Sequence, residues 1–161
     1  MNAGYSPKDL KFGDDGRSRL INGITKLSQA VKSTLGPSGN TVLIESPHHT
    51  HGITVTKDGV TVAKSVDLVD PVENLAVRMM KEAAERTATS AGDGTTTAIV
   101  LTEALVTTGS SLFSENLSLN RTMVLRSLTS MTNEVVDSLK NRSRPLTKKM
   151  MLDVATISSN N

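Results

Sequence analysis

The 161-residue sequence contains no cysteine and no tryptophan, and its aromatic residues are Tyr5, Phe12 and Phe113 alone. Without thiols there is no disulfide scaffold, iron-sulfur cluster, thiolate zinc site or cysteine nucleophile, and a reducing, cytoplasmic compartment is the expectation. With so few rings the interior must be aliphatic, and single-stranded nucleic acid has no stacking platform. Charge of one sign is also missing. The 18 Lys and Arg against 16 Asp and Glu leave +2, too small an excess for a phosphate-tracking surface, so nucleic acid is not an expected partner. No apolar run approaches the ~20 residues that cross a bilayer, and Met1-Asn2-Ala3-Gly4 lacks a signal-peptide core, so no membrane partner is expected. Hydroxyl groups, by contrast, are abundant: 20 Thr and 18 Ser.

The periodicity is mainly helical. Leu20, Ile24, Leu27, Val31 and Leu35 are spaced four, three, four and four, which predicts a helix over about 14–35 with Asp14 and Asp15 as cap candidates and Gly36-Pro37 as its stop. Thr41 to Ile44 and Ile53 to Thr56 are β-branched runs around Pro47, three histidines and Gly52, hence a long-looped hairpin that needs a further strand partner. Leu10 to Phe12 offers a short strand. Pro71 suits a helix start, followed by Val72, Leu75, Ala76, Met79, Met80, Ala83 and Thr87. After Gly92-Asp93-Gly94 a third helix carries Ala98, Leu101, Leu105, Leu112 and Phe113, with Gly109 as a close-packing point. A fourth starts near Leu119, carries Val124, Leu128, Met131, Val135 and Leu139, and stops before Pro145; a short one follows over 146–153. The fold class expected is mainly α, a multihelical bundle with a small β-hairpin.

Three loops could carry chemistry. In Gly92-Asp93-Gly94-Thr95-Thr96-Thr97 a helix begins, and its free N–H groups, dipole and three hydroxyls suit an oxyanion. Asp93 could ligate Mg²⁺ beside phosphates, or merely cap the helix. Thr34-Leu35-Gly36-Pro37-Ser38-Gly39 reads as an anion nest or as a plain helix C-cap and turn. In Thr56-Lys57-Asp58-Gly59, Lys57 could neutralise phosphate and Asp58 hold water, and a turn with Asp58 as N-cap fits equally. The P-loop and dinucleotide fingerprints are absent. His48, His49 and His51 have no adjacent carboxylate and read as a solvated hairpin tip. Met79, Met80, Met150 and Met151 read as core filler, and Lys81, Glu82, Glu85 and Arg86 as a solvated helix face.

Taken in order, TLGPSG (34–39), TKDG (56–59) and AGDGTTT (91–97) resemble the group I chaperonins, the GroEL type, and further matches stand at 9–13, 68–74 and 155–160. The resemblance implies an ATP-driven protein-folding machine, with 1–140 as the N-terminal half of an equatorial ATP-binding domain and 141–161 as the start of an intermediate domain. The apical domain and the returning equatorial half are outside these residues. It implies ATP and Mg²⁺ as cofactors. Thr34, Leu35, Gly36 and Pro37 would line the nucleotide pocket, Lys57 would sit near the phosphates, and Asp58 would assist hydrolysis. Asp93 would bind Mg²⁺, and Gly94, Thr95, Thr96 and Thr97 would hold phosphate. The implied partners are identical subunits in a ring, unfolded client proteins and a co-chaperonin lid. The hairpin would pair with terminal strands of a neighbouring subunit. Because the family's principal hydrolysis base belongs to the returning segment, residues 1–161 alone are expected to hydrolyse little ATP. The alternative is a non-catalytic assembly module of a chaperonin-like complex.

Overall fold

The computed structural model describes residues 9–36, 38–45 and 52–158. Pro37 and the cluster of His48, His49 and His51 lie outside them. The described residues form α1 (Gly13–Lys32), β1 (Val42–Glu45), β2 (Ile53–Thr56), α2 (Gly59–Ser65), α3 (Pro71–Ala91), α4 (Thr95–Glu115), α5 (Arg121–Arg142) and α6 (Lys148–Ser158). The fold is mainly α with one hairpin, as the periodicity predicts. Two compact units divide the chain, Met1–Ser114 and Glu115–Asn161.

In the first unit α1 lies along α3. Gly23 makes that approach close: a Cβ there would run into the Glu73 carbonyl, so a larger residue would force the helices apart. Leu27 and Val31 of α1, Val62 and Ala63 of α2, Val77, Met80 and Ala84 of α3 and Ile99 of α4 form one aliphatic core. Lys26 clamps the same seam by its ion pair with Glu73 at 2.5 Å, and Lys32 reaches Glu103 of α4 at 2.8 Å. The hairpin is antiparallel, with Val42 opposite Thr56 and Glu45 opposite Ile53; among the described residues it has no third strand.

Several boundaries differ from the sequence expectation. α1 ends at Lys32 rather than 35, because the Ser33 and Thr34 hydroxyls donate to the Ala30 and Val31 carbonyls and divert the last turn. Its N-cap is Phe12 with no side-chain cap bond; Asp14 and Asp15 pair with Arg17 and Arg19 instead. Residues 10–12 form no strand. The last helix extends over Lys148–Ser158 and absorbs Thr156 and Ile157. A Cβ at Gly109 would meet nothing within 4 Å, so this glycine is not a packing point among the described residues. Met80 is core, whereas Met79, Met150 and Met151 are exposed. Glu82, Glu85 and Arg86 are exposed as expected, and Lys81 is half-buried, its ammonium donating to the Lys64 carbonyl at 3.0 Å.

α4 departs furthest. Leu101 and Leu105, placed on its packed face by periodicity, are 57% and 54% exposed, and its buried residues are Thr95 and Ile99. By length and composition α4 is also apolar enough to cross a membrane. The sequence reading misses this because Thr, Ser and Ala interrupt every long run of large apolar residues, while their average over the helix stays apolar. In the second unit α5 starts on Asn120, whose side chain accepts from the Met123 N–H at 3.1 Å, and buries none of its residues.

Candidate phosphate-binding site

The site grows from three element ends in the first unit. Past α1, the chain turns back through Gly36 (φ +81°), and the loop is closed by the Asn40 N–H donating to the Ser33 carbonyl at 2.7 Å and the Gly39 N–H to the Gly36 carbonyl at 2.9 Å. A Cβ at Gly39 would collide with the Thr34 carbonyl, which explains the second glycine. Thr34 is half-buried here, whereas Leu35 is exposed.

The second end is the start of α2. Asp58 is its N-cap: one carboxylate oxygen accepts from the Val60 N–H at 3.3 Å and the other from the Thr61 N–H at 3.0 Å. Partial burial works to raise the Asp58 pKa, but hydrogen bonds from the Thr61 hydroxyl and the Thr61 and Val60 amides, with the Lys64 charge, outweigh it and hold the group below the ordinary carboxylate value. The N-cap option is therefore realised, and it leaves Asp58 ionised. Lys57 is exposed and makes no ion pair with a described residue.

The third end is the start of α4. Gly92 closes α3 in the left-handed conformation, φ +78°, and Gly94 repeats it at φ +92°; a side chain at either position would be strained. The Gly94 carbonyl accepts the first helical bond, from the Ala98 N–H at 2.9 Å. Asp93 does not cap α4. Its carboxylate accepts the Gly94 N–H at 2.6 Å and reaches no amide within the helix. The N–H groups of Thr95, Thr96 and Thr97 and their three hydroxyls consequently have no hydrogen-bond partner among the described residues, which leaves a helix N-terminus with its donors available.

Gly59 joins the three ends. It is buried, and a Cβ there would run into the Thr96 hydroxyl and lie 3.2 Å from Thr34 Oγ1. One residue from each motif thus meets at a point that only a glycine permits. Gly59 carries no role in the sequence reading although it stands inside TKDG, and Thr61 goes unnoticed; the Asp-x-x-Thr spacing, an N-cap with a hydroxyl at the third helical position, was the available signal. The cradle is open rather than enclosed. Among the described residues one cavity, of about 690 Å³, lies against Lys64, Glu82 and Arg86 away from the three loops, and one of about 150 Å³ between α2 and α3 reaches Thr95 alone of the expected site residues. No group of three or more His, Cys, Asp and Glu that could hold a metal ion occurs among the described residues.

The comparisons with known proteins agree with this architecture. The chain matches the structure of the chaperonin gp146 from bacteriophage EL (Pseudomonas aeruginosa), determined in the presence of ATP-BeFx, with a TM-score of 0.70 and 26% identity. That match covers 92% of this chain and 28% of the phage chaperonin, so the chain spans under a third of the length of that relative. The model of the TCP-1/cpn60 chaperonin family matches residues 27–161, which hold all three convergent loops. By that match, carried by the fold it accompanies, the chain belongs to the TCP-1/cpn60 chaperonin family.

Proposed function

We propose that Lys57 and residues 94–97, bordered by residues 34–37, bind the phosphates of Mg-ATP, with Asp93 on the metal ion and Asp58 assisting hydrolysis, in a chaperonin whose identical subunits assemble in a ring and use ATP hydrolysis to fold client proteins. The observation that carries this reading is the convergence at Gly59 of a residue from each loop, beside a helix start whose donors are unpaired. The phage chaperonin determined with ATP-BeFx supports the choice of nucleotide.

The residues fit the ligand. The amides and hydroxyls of Thr95, Thr96 and Thr97 are donors for phosphate oxygens, and Gly94 lets an oxyanion approach the backbone. Lys57 supplies a cation without breaking an ion pair. Asp93 alone would hold Mg²⁺, which suits an ion that takes one or two carboxylates and completes its shell with phosphate oxygens and water. When bound, that ion neutralises charge on the phosphate oxygens. Asp58, fixed as an anion, orients rather than titrates. Thr34, Leu35, Gly36 and Pro37 would border the nucleotide. The open cradle covers only the phosphate end, consistent with base, ribose and principal-base contacts from other segments of the chaperonin.

Asp93→Ala tests the assignment. In the complete protein it is expected to weaken Mg-ATP binding by about tenfold or more and to abolish most hydrolysis, since one carboxylate carries the protein's share of the ion. Binding and hydrolysis at the wild-type level would refute the metal role.

A further inference from the structure

Asp58 makes more hydrogen bonds than a helix cap requires. Besides the Val60 and Thr61 amides, its carboxylate accepts the Thr61 hydroxyl at 2.6 Å, on the same oxygen that takes the Thr61 N–H. Two amides suffice for an N-cap; the third donor is a short, charge-assisted bond that fixes the carboxylate in one orientation. Thr61 is itself stiff, because a β-branched side chain in a helix has restricted χ1 freedom. Next to Asp58, Gly59 is pressed against the Thr96 hydroxyl, so an orientation set within α2 is also set relative to the start of α4. The Asp58 N–H is spent on Thr56 Oγ1 at 3.0 Å, which holds the residue from its other side. Lys64, on the same helix, is the charged group acting on the carboxylate, while Thr34 and Thr96 bring no charge.

We propose that Thr61 is a positioning residue of the nucleotide site: its hydroxyl, which no backbone group replaces, sets the orientation in which the Asp58 carboxylate faces the bound nucleotide. This rests on the nucleotide reading of Asp58 given above.

The test uses Thr61→Val, which keeps the branched shape without the hydroxyl, and Thr61→Ser, which keeps the hydroxyl, in the complete protein. In Thr61→Val, kcat for ATP hydrolysis falls about tenfold while the Mg-ATP dissociation constant stays within about twofold, and Thr61→Ser recovers to within about twofold of wild type. A readout independent of activity accompanies it: Thr61→Val lowers Tm in the wild-type background and lowers it less in Asp58→Ala, where the bond no longer exists. Wild-type kcat in Thr61→Val, equal losses in both variants, or a loss confined to the dissociation constant would overturn the role. So would additive Tm effects. Should Thr61→Val not fold, Thr61→Ala takes its place against Thr61→Ser with the same criteria. A wild-type protein that binds no Mg-ATP removes the nucleotide reading and this role together; intact binding with additive Tm effects removes this role alone.

Discussion

α3 and α4 are both 21 residues long and follow one another through three residues, yet they use their ends and faces in opposite ways. α3 is the more polar helix and is fully provided for. Asp70 caps it through the Val72 and Glu73 amides at 2.9 and 3.0 Å, Arg19 holds Asp70 at 2.6 Å, and Ala76, Val77, Met80 and Ala84 are buried. α4 is the more apolar helix, buries only Thr95 and Ile99, and starts without a side-chain cap although Asp93 stands beside it. The Asp93 carboxylate turns to the Gly94 N–H instead, and the amides of the first turn of α4 have no side-chain acceptor among the described residues. The contrast separates an end that is capped from an end that is not.

The faces give the largest expected difference. Met80→Ala on α3, 5% exposed, should cost about 2–5 kcal/mol in denaturant unfolding, whereas Leu105→Ala on α4, 54% exposed, should cost about 0.5 kcal/mol or less. Comparable losses would place α4 in the core and erase the contrast.

The caps give a smaller and pH-dependent one. Hydrogen bonding from the Glu73 N–H, reinforced by the Val72 N–H and Arg19, depresses the Asp70 carboxyl below its ordinary value against a smaller opposing effect of burial. A depressed folded pKa stabilises the fold above the unfolded pKa of about 3.9 and ceases to do so as pH falls through the lower folded value. Asp70→Ala should therefore lower Tm at pH 7, and the difference from wild type should shrink progressively below about pH 4. Asp93→Ala, which removes one exposed bond to the Gly94 N–H and no helix cap, should lower Tm at pH 7 by less than Asp70→Ala does. A cap-like loss of Tm at Asp93 would return it to the role of an ordinary helix start.

The smallest effect tests how dry the seam beneath α3 is. Ser28 of α1 is fully buried, and its hydroxyl has no hydrogen-bond partner among the described residues. Ser28→Ala should stabilise the protein by about 1 kcal/mol, since an unpaired buried polar group is removed and alanine favours the helix. Destabilisation would reveal a partner for that hydroxyl.

Much of the fold was legible in the residues. The stripe Leu20, Ile24, Leu27, Val31 and the Pro71 start place α1 and α3, because Leu27, Val31, Ala76, Val77 and Met80 are buried where the two helices meet, although Leu75 and Met79 of the expected α3 stripe are exposed. α2 carries no periodic signature, since seven residues cannot show a period, although Asp58 is visible as its cap. α4 and α5 were placed as helices, but their exposed faces could not be read: periodicity reports which side is apolar, not whether residues 1–161 contain anything to cover it. The loops were legible as a set of motifs, whereas their meeting point was not. Gly59 is remarkable only once Thr34 and Thr96 are found on either side of it, and that contact joins residues far apart in the chain.

The convergence at Gly59 is the central claim, and calorimetric titration of Mg-ATP into the complete protein and its Gly59→Ala variant tests it most directly. The wild type should bind, and the variant, whose methyl group would enter the space of the Thr96 hydroxyl, should lose affinity by about tenfold or more. Equal affinity in the two proteins, or no binding by the wild type, would contradict a phosphate site built where the three loops meet.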